Sequence, residues 1–331
     1  MKKKFLIIGL PIFVLIISAI FFSDLGWNIT TNASIAETSD KSLIIDNLKK
    51  HVIELSSKIG IRNMKSYEKL NMAEKYILSE FEKEGYKLTL QNYDVDNKTV
   101  YNIIVKKDGT DRSLEPLIIG AHYDTDENPG ADDNASGIAG LLELSRMFND
   151  KTISRDLIFV AFVNEEEPYF QKETMGSKEF ADSLKNENQK IKGAIILEMI
   201  GIYSNKANSQ KYPRPLGILY PNKGNFLMSI GNSKSKKLMQ EFEKPFEKSC
   251  GIPYRDISFD VEGTDWSDHW SFWVNGYKAI MLTDTAYLRN FNYHTNNDTY
   301  EKLNYKYMAE TVKGIYGALF NMVKWLAFQK V

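Results

Sequence analysis

Histidine nitrogens and carboxylate oxygens are the reactive donors that this sequence sets at recurring places. His122 and Asp124 follow the apolar run Leu117-Ile118-Ile119-Gly120-Ala121. Glu165, Glu166 and Glu167 come one residue after Leu157-Ile158-Phe159-Val160-Ala161-Phe162-Val163. Glu198 follows Ile195-Ile196-Leu197, and Tyr293-His294 stand a loop beyond Met281-Leu282. A fifth piece, Gly130-Ala131-Asp132-Asp133-Asn134-Ala135-Ser136-Gly137, is a tight turn of small and acidic residues. The single cysteine, Cys250, excludes both a disulfide within the chain and a multi-thiolate site. Imidazole and carboxylate donors without sulfur suit zinc or a similar divalent ion. Two such cations ~3.5–4 Å apart need a carboxylate shared between them, and the chemistry needs a further carboxylate, not a ligand, to accept a proton from water. Adjacent glutamates can fill both roles, because neighbours at a strand end point in different directions.

The elements that must position these groups follow from periodicity. The apolar runs 116–121, 157–163, 194–197 and 278–282 are continuous, the pattern of strands buried on both faces in a parallel or mixed sheet. In open α/β sheets, ligands bind outside the carboxyl ends of such strands, where the acids and histidines stand here. Segments 86–93 and 100–105 read as a pair of antiparallel strands. Ile44, Leu48, Val52 and Leu55 recur at helical spacing, as do residues over 70–85, which end in a glycine suited to a C-cap. Segments 136–148 and 305–328 complete the helices. The expected fold is α/β, with a mixed, mostly parallel central sheet covered by helices on both faces, in one catalytic domain over residues 41–331.

Residues 5–22 are apolar and come after three lysines, Lys2, Lys3 and Lys4. Eighteen residues of helix would span about 27 Å at ~1.5 Å per residue, close to the ~30 Å hydrocarbon core of a bilayer. The lysines stay on the cytoplasmic side and direct the rest of the chain outward. Residues 1–22 are therefore a signal anchor or a cleaved signal peptide. The length of the run and the lack of a small-x-small cleavage site favour the anchor. Residues 23–40 form a polar tether. The catalytic domain is expected outside the cytoplasm, held at the membrane by that N-terminal helix, or secreted if the segment is cut. Lys+Arg total 42 against 43 Asp+Glu, a net charge of −1. That balance excludes a nucleic-acid binder working by bulk positive potential. Hydrophobic residues make up 43%, too many for a disordered chain.

The strings GAHYD, GADDNASG, FVNEEEPYF followed by MGS, LEMIG, SDHWSFW and YHTNNDT, taken in order, resemble the co-catalytic di-zinc exopeptidases of metallopeptidase family twenty-eight. That family includes bacterial aminopeptidases and relatives of glutamate carboxypeptidase. The resemblance covers most of residues 41–331 and implies the zinc-exopeptidase fold and peptide hydrolysis. It implies two divalent ions, zinc by expectation, and peptide substrates. Carried over by motif, His122 and Glu198 would bind the first metal, Glu166 and His294 the second, and Asp133 both, with Asp132 the other candidate for the shared carboxylate. Glu165 would be the general base. Asp124 would hold the His122 imidazole in the required tautomer. The resemblance also implies a cis peptide between Asp133 and Asn134. The glutamate pair is placed at 165/166 by its spacing from the 157–163 strand.

Asp268 and His269 are expected either to line a substrate pocket or to make a structural hydrogen bond, and Tyr293 to line the pocket. Trp266, Trp270 and Trp273 read as a core or rim cluster rather than the alternative, a substrate platform; His51 reads as an exposed residue on a helix, and Cys250 as structural or incidental. Two rival functions remain: a single-zinc glutaminyl cyclase, and a catalytically inactive receptor or scaffold ectodomain.

Overall fold

The computed structural model describes residues 39–324 apart from 213–215, 219 and 260. The expected membrane segment lies outside the described residues. Among the described residues no helix is long and apolar enough to cross a membrane.

Helix α1 (Ser39–Val52) continues through a wider π-type turn, Ile53–Ile59, and is followed by α2 (Tyr67–Lys83). Helix α1 begins two residues inside the expected tether. Strands β1 (Leu88–Val95) and β2 (Lys98–Lys107) form the expected antiparallel pair. Then β3 (Leu117–His122), α3 (Gly137–Phe148), β4 (Leu157–Phe162), α4 (Gly176–Asn186) and β5 (Gly193–Glu198) alternate. The chain continues through β6 (Leu227–Gly231), α5 (Lys236–Ser249), β7 (Tyr254–Ile257), α6 (His269–Val274), β8 (Ala279–Thr283) and α7 (Tyr305–Val323).

Among the described residues eight strands join one sheet in the order β1-β2-β4-β3-β5-β8-β6-β7. The centre, β4-β3-β5-β8, is parallel throughout, so four strands end at the same edge. Pairing turns antiparallel between β2 and β4 and between β8 and β6, and is parallel again between β6 and β7.

The continuous apolar runs are explained by what covers them. Ile119, Ala121, Phe159, Ala161, Ile195 and Leu197 pack into a core with residues of α1, α2, α3, α5 and α7. Their alternates Ile118, Val160, Phe162, Ala194 and Ile196 pack on the other face against Phe180 and Ala181 of α4 and Phe272 of α6. Side chains alternate faces along a strand, so a strand covered on both sides must be apolar at every position. Strands β6 and β7 escape the periodicity argument. The first carries Ser229 and Gly231, and the second is only Tyr-Arg-Asp-Ile.

His51 overturns the expectation of an exposed residue. It is 5% exposed, with Nδ1 2.7 Å from the Tyr76 hydroxyl of α2. It stands three residues after Leu48 and seven after Ile44, so it shares the buried stripe of α1. Burial, the largest effect, lowers its pKa to about 4, with Lys50 and Lys83 acting in the same direction against Glu80. The folded state therefore refuses a proton that the unfolded chain accepts below its ordinary value of 6.5. Stability should fall as the pH is lowered from about 6.5 towards 4, by on the order of 2–3 kcal/mol from this group. Denaturant unfolding of wild type and His51→Gln at pH 7.5 and pH 5 checks this. The variant should lose less stability across that interval, and equal losses would remove His51 as the cause.

Candidate metal centre

Each donor is aimed by the end of a strand or by the turn before a helix. His122 is the last residue of β3 and Glu198 the last of β5. After β4 the chain turns at Asn164, whose φ of 59° lies in the left-handed region, and delivers Glu165 and Glu166. Met199, directly after Glu198, and His294 itself take the same sign, with φ of 50° and 54°. Such conformations are costly for residues with a side chain and cluster where surrounding structure imposes them. The turn Ala131–Ser136 carries Asp133 and opens on Gly130 at φ 57°. The Asp133–Asn134 peptide is cis, as the resemblance implies, and so is Glu167–Pro168. Glu167 itself is exposed.

These pieces converge. The His122 Nε2 atom lies 3.3 Å from Asp133 Oδ1 and 3.3 Å from Glu198 Oε2. His294 Nε2 lies 3.1 Å from the other oxygen of Asp133 and 3.3 Å from Glu166 Oε2. His122, Asp133 and Glu198 form one donor set and Asp133, Glu166 and His294 a second, each with its atoms within 4.8 Å of one another. Asp133 is common to both. Glu165 reaches to 3.9 Å from His122 Nε2 but belongs to neither set. Asp132 turns away and accepts hydrogen bonds from Gly201 N–H and the Asn290 amide.

Several supports complete the site, most of them without a sequence signal of their own. Asp124 accepts the backbone N–H groups of Glu165 and Glu166, both at 3.1 Å, while one of its oxygens lies 3.5 Å from His122 Nδ1. Ser267 donates to Glu198 at 2.6 Å. Asp298 accepts from the N–H groups of Asp132 and Asp133. The Asn134 side chain spans Leu197 O and Met199 N–H, tying the turn to the exit of β5. The wholly buried Arg62 donates to the carbonyls of Tyr123, Pro129 and Gly130, closing the loop between β3 and the turn.

The electrostatics show what the cluster lacks. Burial would hold His122 neutral, yet Glu198, Glu165, Asp124 and Asp133 outweigh it and raise its pKa well above the ordinary value. His294 is likewise driven to about 10 by Asp133 and Glu166 against burial. Glu165 is raised well above the carboxylate range by burial, with Glu198, Glu166 and Asp268 adding to it against His122. Burial and Asp133 lift Glu166 to about 7. Burial also raises Glu198, and Asp133 adds to this against His122. Asp133, with an imidazole close to each of its oxygens, is lowered in spite of its burial. Protons stand here where positive charge is wanted. Both ring nitrogens of His122 and Oε1 of Glu166 are buried without a hydrogen-bond partner, which is costly unless something coordinates them. Imidazoles and carboxylates in two sets sharing one aspartate fit divalent zinc.

A cleft with a cavity volume of about 90 Å³ opens beside the centre. Glu198 and Tyr293 form its inner end; Met199, Met228, Met281, Ile230 and Ile257 give it apolar walls. Tyr293 stacks on the His294 ring with centroids 3.8 Å apart, and Tyr287 and then Trp266, 46% exposed, continue a row of rings to the mouth. Asp268 and His269 do not line this cleft. His269 is buried with Nε2 2.8 Å from Thr264 O, its ring edge-on to Trp273 and its pKa lowered to about 4 by burial. Asp268 is buried behind the centre, and burial first, then Glu198 and Asp124, raises its pKa to about 7 against His122.

An α/β domain with histidine and carboxylate donors gathered at the carboxyl edge of its parallel strands is built to hold divalent metal. The chain belongs to Peptidase family M28, whose family model matches residues 102–318, and it is accordingly a peptidase. It is 35% identical over 288 residues to the uncharacterized protein YfbL of Escherichia coli, covering 83% of this chain and 88% of that one. Its fold is like that of BSAP, a zinc aminopeptidase from Bacillus subtilis (TM-score 0.69, 16% identity, 86% of this chain and 96% of that one). The fold is also like that of a Fimbriiglobus ruber glutaminyl cyclase (TM-score 0.64, 19% identity, 89% and 100%). Of the yeast and fungal relatives named aminopeptidases, the chain spans 62% of the length or less.

Zinc should stabilise the chelator-treated protein, by about 2.7 kcal/mol when free zinc is 100 times its Kd. Asp133→Asn, which weakens both donor sets, should lose most of that gain. Calorimetric melting with and without zinc measures both, and a wild-type transition indifferent to zinc would contradict the fit.

Proposed function

We propose that the chain is an extracytoplasmic di-zinc aminopeptidase that removes N-terminal residues from peptides. The observation that carries this reading is Asp133, whose two oxygens face His122 and His294 separately, while Glu165 stands beside them outside both donor sets. His122, Asp133 and Glu198 would hold one cation and Asp133, Glu166 and His294 the other. When bound, such a pair polarises a carbonyl and lowers the pKa of water towards neutrality. Glu165 accepts a proton from the attacking water and returns it to the leaving amine. Asp124, through the two N–H groups it accepts, fixes Glu165 and Glu166 so that one faces the substrate and the other the cation. Glu165 and Glu198 supply the negative surroundings for the free α-amine. The cleft takes the side chain of the N-terminal residue, and its polarizable, unbranched Met199, Met228 and Met281 suit large apolar groups of differing shape. The apolar segment 5–22 serves as the membrane anchor ahead of a single catalytic domain, 41–331.

Glu165→Gln should lower kcat by about 10²–10⁴-fold, the worth of a general base, while zinc content stays that of wild type. Retention of near-wild-type turnover would overturn the assignment of the base. In a panel of aminoacyl and peptide substrates with and without chelator, the wild type should favour large apolar N-terminal residues. Met281→Arg should depress kcat/KM for those substrates most. Cyclisation of N-terminal glutamine with one zinc per chain would replace this reading with the glutaminyl cyclase one.

A further inference from the structure

The two donor sets are built on unlike foundations. His122 and Glu198 end strands whose residues pair with their neighbours to the last position, His122 opposite Phe162 and Glu198 opposite Thr283. Asp133 is held to that framework from the β5 side by the Asn134 side chain. His294 has no strand under it. It stands in the loop beyond β8, with 34% of its side chain exposed.

That loop reaches the Asp133 turn through one carboxylate, one backbone carbonyl and one amide. Asp298, four residues after His294 and wholly buried, accepts from the N–H of Asp132 with both oxygens (3.2 and 3.1 Å) and from the N–H of Asp133 at 3.1 Å. Its backbone carbonyl accepts from Ala131 N–H at 3.2 Å. Asn290, 2% exposed, donates to Asp132 Oδ2 at 3.0 Å and to Asp298 Oδ1 at 3.3 Å. Asp298 therefore ties the loop to the turn through its carboxylate and its backbone carbonyl, and Asn290 adds a second side-chain tie.

We propose that Asp298, braced by Asn290, is a positioning residue that fixes His294 relative to Asp133, and that its loss weakens cation binding at Asp133, Glu166 and His294 selectively. The inference rests on the two-cation reading. Partners behind metal ligands are typically worth 10–100-fold in affinity. Here that effect falls on one position, because the other keeps two strand-borne donors and the Asn134 tie.

The test is a zinc titration, by calorimetry and competition with a chromogenic chelator, of the stripped full-length protein. Wild type should take up two zinc ions per chain. Asp298→Asn, left with one carbonyl oxygen, should keep one tight ion and bind the second about 10–100-fold more weakly. The ion it keeps should bind as it does to His294→Ala. Asp298→Glu, which retains the charge but misplaces it, should behave as Asp298→Asn does. Asn290→Ala, which leaves the carboxylate in place, should weaken the same ion to a smaller degree and serves if the Asp298 variants do not fold. Excess zinc should restore peptidase activity to the variants that fold. Equal weakening of both ions, no weakening of either, or a wild-type profile for Asp298→Glu would overturn the proposal. Fewer than two zinc ions on the wild type would instead overturn the reading on which it rests.

Discussion

A surplus of buried negative charge at one edge of the sheet is the constraint around which the rest of the molecule is arranged. Asp133, Glu165, Glu166 and Glu198 are each 7% exposed or less, and Asp124 and Asp268 lie buried among them. Among the described residues, the imidazoles that face them are His122 and His294. An isolated ionised carboxylate is very costly in such a place and takes up a proton or a cation instead. The raised pKa values of Glu165, Glu166 and Glu198 are the same statement in terms of protons. The parallel strands make this concentration possible. They end at one level, their backbone groups are paired, and their apolar faces are covered by helices, so the polar residues gather at a single edge.

Much of that edge could be read directly from the amino acids. A carboxylate or imidazole directly after a run apolar at every position, as at His122 and Glu198, has few structural reasons to be there. Glu165 and Glu166 are placed by distance from their strand; in the fold Glu166 faces His294 and Glu165 stands apart from both donor sets. What stayed hidden is whatever depends on which loops meet. Ser267 and Asn290 are ordinary polar residues until the fold brings one to Glu198 and the other to Asp132. Asp298, in the string with His294, reads as a loop acid, and only tertiary contact reveals that its carboxylate accepts backbone N–H groups more than a hundred residues away. The outer edge formed by β6 and β7 was illegible for another reason. Four or five residues bearing serine, arginine or aspartate do not alternate long enough to be told from a loop. His51 shows the reverse failing, because its helical spacing already placed it in the buried stripe while its polarity argued for the surface.

The cleft and the centre divide the labour of recognition. At the inner end stands the buried Glu198; the walls beyond it are mostly methionine, isoleucine and aromatic side chains, with the exposed Glu262 the other acid of the lining. Apolar walls discriminate by volume and only weakly between similar side chains, about 1–3 kcal/mol per methylene. In the aminopeptidase reading the sharper requirement, a free amine, falls to the acidic end. Selectivity is then strict about chain terminus and permissive about side chain.

The row of rings from His294 out to Trp266 has an optical consequence. Indole emission responds to the polarity around the ring, and Trp266 stands half in solvent at the mouth of the cleft with Tyr287 6.1 Å away. Any guest that enters must displace water from that ring, so the wall of the cleft carries its own fluorescent reporter and occupancy can be followed without attaching a dye.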